Sequence, residues 1–279
     1  MTDPPVNTPV PAGIHRRPRT RRAGRLLRGS VGVVVLLLLG EVVGRAGFVD
    51  RSFLPPSSTV LAHVGRLLTD GGFAGDVAFT LGAWASGLLV ATVIAVPAGV
   101  LFGSVPVVDS AARVLVEFLR PIPAVALVPL VLLIVADQGE LERVLAAYAA
   151  TWPILINTIY GAGDVDPLAR DMARCFGLSR FAILLRIWLP SVAPFVATGV
   201  RLGSSVALIV TISTELISGG GGNGLGQFIF DASGNPDGAA DVFAAVMVTG
   251  GLGLLLDVLL RYGERTAFRW HFERLEVAG

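Results

Sequence analysis

Six stretches of this chain are apolar and almost free of charge, at about 31–43, 79–100, 122–136, 144–159, 195–217 and 242–260. In hydrocarbon every backbone N–H and C=O must be paired within the segment, so runs of this kind fold as helices that cross a bilayer. Composition agrees. Of all residues 53% are hydrophobic and only 15% charged, whereas soluble domains carry about a quarter charged. The expected fold class is therefore all-α, a polytopic membrane protein with about six transmembrane helices.

The segments between the spans set the organisation. Residues 1–28 are rich in Pro and Arg, with seven arginines from Arg16 to Arg28, and read as a disordered cytoplasmic tail. The first span fills 29–48. An Arg-rich start before a short apolar core also describes a signal peptide, but no small-x-small cleavage site precedes Phe48 and further spans follow, so it is read as retained. Residues 49–78 form an extracytoplasmic segment. It has a Leu54-Pro55-Pro56-Ser57 turn, then an amphipathic stretch with Leu61, Val64, Leu67 and Leu68, expected to lie against the membrane. The other five spans occupy 79–262, interrupted by a polar loop at 164–194, and 263–279 is a charged tail. Pro97 and nearby glycines in the second span predict packing against other helices. Pro121, Pro123 and Pro129 predict a short, kinked third span, entered from a cytoplasmic connection holding Arg113 and Arg120.

Arginine usage orients the chain. All 22 basic residues are arginine. Seventeen fall on the tails and connections assigned to one side, four on the other, and Arg201 lies within a span. The excess marks the cytoplasmic side, so both termini and the 164–194 loop are expected there, in a multi-pass protein of the cell membrane. A Walker A loop needs a lysine on the phosphates, so the chain is not a conventional P-loop ATPase. The lone Cys175 excludes an internal disulfide, and His15, His63 and His271 are scattered, so neither a metal site nor a catalytic triad is expected. No span gathers catalytic residue types, and the chain is not expected to be an enzyme.

The loop is written as an elbow. Asp166-Pro167 is an N-cap followed by proline at the first helical position, and a helix from there ends at Gly177, a left-handed C′ residue. Ser179 caps a second helix that stops near Pro190. In the first helix Leu168, Met172 and Phe176 share one stripe, with Arg170, Asp171 and Arg174 off it. That stripe either packs on the protein's own spans or fills a groove on a partner, and the residues alone leave both open.

Asp171-Met172-Ala173, then Gly177, then Ile187-Trp188-Leu189-Pro190 resembles the EAA signature of the inner-membrane permeases of binding-protein-dependent ABC importers, with both spacings kept. The leading Glu is Asp here and the first Ala is Met. Pro190 with Pro194, Gly199-x-Arg201, Gly224-Leu225-Gly226 and the Pro-rich turns named above are similar to the aliphatic sulfonate/taurine/nitrate permease subfamily. The resemblance implies a type I importer-like bundle that moves a small anion such as a sulfonate, taurine or nitrate. It implies a homodimer in membrane lipid, a cytosolic ABC ATPase subunit that holds ATP and Mg, an extracytoplasmic solute-binding protein, and no nucleic-acid partner or cofactor on this chain. It places the ATPase contact at Arg170, Asp171, Ala173, Arg174, Gly177, Leu178, Ile187, Leu189 and Pro190. Ala136-Asp137-Gln138-Gly139 departs from the subfamily's usual turn after the third span, which leaves the solute subgroup open.

Other polar residues carry weaker signals. Glu215, near the outer end of the fifth span, either pairs locally or stands on the translocation path. Arg201 is expected to reach a headgroup or the elbow, and Glu41 and Asp257 to act as helix-packing groups. Asn157 and Thr158 are expected to hydrogen-bond between helices rather than bind substrate. Gly219–Gly224 formally satisfies a dinucleotide fingerprint, but no strand precedes it and an outer turn is expected. The spans offer no basic pocket that would name an anion. A self-contained secondary transporter or channel is the alternative function, although no internal repeat supports it.

Overall fold

The structure is a computed structural model that describes residues 20–46, 50, 52–105, 107, 114, 116–135, 137–218 and 222–268. Among them no strand occurs. The helices are α1 (Thr20–Ala46), α2 (Ser57–Leu67), α3 (Gly71–Ser104), α4 (Val128–Leu132), α5 (Gln138–Gly163), α6 (Pro167–Cys175), α7 (Arg180–Ile183), α8 (Leu189–Ser218), α9 (Leu225–Ser233) and α10 (Ala239–Ala267). Five stretches are long and apolar enough to cross a membrane: Gly29–Ala46, α3, α5, Arg180–Ser218 and α10.

The expected third span at 122–136 is not one helix. It consists of a 3₁₀ turn, Ala124–Leu127, followed by the five-residue α4, as its prolines dictate. The chain nevertheless returns across the bundle here. Gly87 lies against Ala146, Gly99 against Thr158 and Gly103 against Ala162, pairs that advance together, so α3 and α5 are parallel. From Gly87 to Gly103 a helix rises about 24 Å, and the segment between α3 and α5 must recover that distance. Among the described residues of that return, 116–135, no continuous helix crosses the bundle.

Small residues build the bundle. Ala91, Ala95, Ala146, Ala147, Ala150 and Ala207 pack with Leu88, Ile154 and Leu155 where α3, α5 and α8 meet. α8 is antiparallel to α5, with Gly161 against Phe195, and Gly199 and Gly203 against Ile154. Backbones approach closely because no side chain separates them. A Cβ on Gly103 would sit 2.7 Å from the Ile159 carbonyl oxygen, whereas one on Gly82 meets nothing within 4 Å. Gly103→Val is therefore expected to cost about 1–3 kcal/mol and lower the melting temperature of the purified protein. Gly82→Val, a change of the same size, should leave it in place, and equal melting of the two variants would refute this packing.

Several boundaries differ from the sequence expectation. α1 begins at Thr20, so residues 20–28 are helical rather than disordered; Arg and Leu are good helix formers and extend the apolar span. The rest of the expected tail, 1–19, and the C-terminal tail from 269 lie outside the described residues. α2 turns Val60 and Leu67, not Leu61 and Leu68, into the protein, against Phe73, Leu225, Ala244 and Ala245. Its partner is the bundle's own end. His63 and Arg66 of α2 meet Asp241 of α10 at 2.7 and 2.5 Å. Glu41 of α1 accepts from the Ser58 amide (2.8 Å) and hydroxyl (3.0 Å) at the start of α2. Gly40 and Gly44 let α1 come close to Ser57 and Pro56.

These contacts fix two ends. The N-terminus of α3, the C-terminus of α8 and the N-terminus of α10 share one end with α2. The elbow at 164–188, the start of α1 and the end of α10 occupy the other.

Candidate functional site

The elbow is held by backbone geometry. Asp166 accepts from the Leu168 amide at 2.8 Å and Pro167 opens α6. At its end the Gly177 amide donates to Arg174 O (2.9 Å) and the Leu178 amide to Ala173 O (3.1 Å), a Schellman motif with Gly177 at φ +75°. Ser179 then accepts from the Ala182 amide (3.2 Å) and starts α7. Leu168, Met172 and Phe176 are 66, 52 and 78% exposed. Among the described residues nothing covers the stripe, and no described span packs on it.

The resemblance-derived contact residues divide. Asp171, Arg174 and Gly177 are exposed, with Asp171 and Arg174 paired at 3.2 Å on one face. Leu189 is exposed, while Arg170, Leu178 and Pro190 are half-buried. Ala173 is buried. Ile187 turns inward, onto a cluster of Ala162, Val165, Trp188 and Val192 with Val100 and Val196. This cluster plugs the elbow's base into the ends of α3, α5 and α8, so a displacement of the elbow is delivered to three long helices.

The second elbow helix does not stop at Pro190. α7 passes through a π-turn, Leu184–Trp188, directly into α8, giving a continuous stretch from Arg180 to Ser218. The Leu189 amide reaches back to Leu184 O. This wider turn absorbs an extra residue just before Pro190, where the proline ring and missing amide would otherwise break the ladder.

At the opposite end, Glu215 is completely buried. Its carboxylate accepts from the Thr80 hydroxyl and the Gly226 amide, both at 2.7 Å. Thr80 in turn accepts from the Leu225 amide (2.9 Å), and Asp76 accepts from the Gly224 amide (3.0 Å). Three groups, Asp76 and Thr80 of α3 and Glu215 of α8, thus satisfy the free amides that open α9, where negative charge is favoured. The glycines of Gly224-Leu225-Gly226 permit it. Gly224 has φ +118°, and a Cβ there would lie 2.5 Å from the Glu215 carboxyl carbon. These contacts agree with the locally paired alternative for Glu215. Of the Gly-rich turn, 219–221 lies outside the described residues.

Three sequence expectations are corrected by direct contacts. Arg201 reaches neither headgroup nor elbow; it pairs with Glu264 of α10 at 3.7 Å, which also accepts from Thr198 at 3.0 Å. Asn157 and Thr158 donate to carbonyls of their own helix, Pro153 O and Ile154 O, rather than across helices. Arg120 is not in a connection beyond the bundle. The Tyr148 hydroxyl donates to Leu119 O at 2.9 Å, which brings Arg120 beside the middle of α5, where it lines a cavity of about 400 Å³ with Tyr148, Trp152 and Asn157. The spans do hold a pocket with a cation. The prolines hid it, because they conceal how far the broken segment has climbed. Glu142, also passed over, is fully buried on α5, and neither of its carboxylate oxygens is hydrogen-bonded among the described residues.

Comparison with known proteins identifies the family. The chain is 28% identical to a bicarbonate transport system permease of Synechocystis sp., over 87% of this chain and 89% of that protein. It is 28% identical to a nitrate import permease of the same organism, over 86 and 88%. A Bacillus subtilis protein whose description names aliphatic sulfonates transport is 25% identical over 92% of each chain. Residues 95–269, which hold the elbow, the cavity and Glu215, match the family described as binding-protein-dependent transport system inner membrane component. The chain belongs to that family, as a non-catalytic transmembrane permease subunit of an ABC importer whose ATPase and solute-binding protein are separate partners.

Proposed function

We propose that this permease passes a small anion, of the nitrate, bicarbonate or sulfonate kind named for its relatives, from an extracytoplasmic binding protein into the cytoplasm. The elbow and both termini face the cytoplasm, where most arginines lie. Two copies form the pathway within membrane lipid. A cytosolic ATPase, which binds ATP and Mg, seats the α6 stripe in a groove on its surface, with Arg170, Asp171, Arg174, Gly177 and Leu178 around it. The remaining elbow residues, Ala173, Ile187, Leu189 and Pro190, join that contact to the spans. The observation that carries the reading is the stripe itself: three large apolar side chains on one face of a capped helix, exposed beside Arg170, Asp171 and Arg174.

Co-expression with the cognate ATP-binding subunit tests it. Met172→Asp with Phe176→Asp should leave the permease in the membrane yet cut ATPase co-purification by at least tenfold, because two charges then face an apolar groove. Undiminished co-purification would refute the seat. Uptake by the permease alone in liposomes, without ATP hydrolysis, would instead favour the secondary-transporter alternative.

A further inference from the structure

The cavity between α5 and α8 holds the only charge in a ring of otherwise neutral lining residues. Arg120 projects from the broken crossing; Tyr148, Trp152 and Asn157 come from α5, and Leu202 and Val206 from α8. Tyr148 and Asn157 are the eleventh and twentieth residues of α5, so the cavity spans the middle of the bilayer thickness. No carboxylate lines it, and among the described residues no acid pairs with the Arg120 guanidinium. An unpaired charge at this depth is tolerated only where it faces water or an ion.

The neutral polar groups around it are Tyr148, Trp152 and Asn157. The Trp152 indole N–H is buried without a partner. One Asn157 amide hydrogen is spent on Pro153 O, which leaves the other. The Tyr148 hydroxyl proton is committed to Leu119 O. A cavity offering a guanidinium and one free amide N–H, and walled by Leu202 and Val206, suits a solute with paired acceptor oxygens.

We propose that this cavity is the solute site within the membrane, and that Arg120 holds a small oxyanion there by two parallel N–H···O bonds. A planar guanidinium presents paired donors at the spacing of two oxygens on one centre, which suits nitrate, bicarbonate or a sulfonate head alike. Asn157 supplies a further donor, and the aliphatic wall accepts an alkyl tail. This rests on the permease reading for its biological meaning, but the anion site itself does not depend on the ATPase.

Ile156 lines the same cavity, and Cys175 is the chain's single cysteine, which permits a charge-selective probe. In Cys175→Ser with Ile156→Cys, the permease in phosphatidylcholine nanodiscs is treated with anionic sulfonatoethyl methanethiosulfonate and with its cationic trimethylammonium counterpart. The anionic reagent should react faster, and excess nitrate should slow it. Adding Arg120→Gln should lower the anion-to-cation rate ratio at least tenfold, with the rate for neutral methyl methanethiosulfonate unchanged; Arg120→Lys should recover part of the ratio. An unchanged ratio in Arg120→Gln overturns the proposal, as does failure of either charged reagent to reach the thiol in native protein. Should Arg120→Gln fail to fold, nitrate protection in the arginine-containing protein decides alone: absence of protection overturns the site. Suppression of the anionic reaction in phosphatidylglycerol discs would assign the guanidinium to a lipid headgroup and overturn the small-anion reading. A lost site with intact ATPase co-purification rejects this inference only, and the reverse pattern rejects the permease assembly.

Discussion

Gly177→Val is expected to abolish uptake while leaving the protein in the membrane at near-normal amounts. The reason is conformational. A Cβ at this position meets nothing within 4 Å, so the substitution clashes with no part of the chain. The backbone there has φ +75°, a left-handed conformation that costs an L-residue roughly 1–2 kcal/mol, and more when branched at Cβ. That penalty is comparable to the two hydrogen bonds of the Schellman motif, about 1 kcal/mol each. The turn is expected to open, and α6 then loses its fixed angle to α7. Span insertion is set by the apolar helices and is untouched. Asn, which tolerates this conformation, should retain a large part of the activity. The comparison is uptake into proteoliposomes, normalised to permease content, for glycine, asparagine and valine. Uptake by the valine variant equal to that of wild type would show that the elbow angle transmits nothing.

The elbow was legible because its signals are local. Asp166-Pro167, Gly177 and Ser179 each act on backbone groups within a few residues, and every one of these caps is present as read. Whether Leu168, Met172 and Phe176 face inward was not legible, since a stripe looks the same whichever surface it meets. Their exposure now separates the alternatives. Pro190 misled for a related reason. Proline ends a regular helix, but a π-turn in the preceding residues lets one continue, and no residue in Leu184–Trp188 announces it.

The spans were readable from hydropathy and their lateral arrangement was not. Gly87, Gly99 and Gly103 fall with Ala91 and Ala95 at every fourth position of α3, a small-residue stripe that announces close packing but not its partner. Their meaning appears only when Ala146, Thr158 and Ala162 of a parallel α5 fill the gaps they leave. Long-range ion pairs were equally invisible. Arg201 finds Glu264 across 63 positions of sequence, and no local pattern predicts such a partner. Arg120 was misplaced because positive-inside counting treats an arginine between two spans as a loop residue. A crossing broken by Pro121, Pro123 and Pro129 has no clear beginning, and the arginine had already entered it.

Glu215→Ala is expected to give the larger loss of stability among changes at the far end, and Glu215→Gln a smaller one of the same kind. Both carboxylate oxygens accept, one from Thr80 and one from the Gly226 amide. Alanine strands both donors in a site with no access to water, at about 1–3 kcal/mol for each. Glutamine keeps one acceptor for the Gly226 amide and turns its NH₂ toward the Thr80 oxygen, which must then accept instead of donate, so one contact is reversed and weakened. Thermal melting of purified protein should therefore fall in the order wild type, glutamine, alanine. Uptake per folded molecule, and its KM, should stay close to wild type in the glutamine variant. A changed KM with an unchanged melting temperature would instead put Glu215 on the solute path. Gly224→Ala supplies an independent check, since its Cβ would lie 2.5 Å from the same carboxyl carbon and its φ of +118° disfavours any side chain. It should destabilise the same latch. Combined with Glu215→Gln it should cost less than the two changes separately, as substitutions within one hydrogen-bonded unit do. Full additivity would mean that the carboxylate and the turn are not one device.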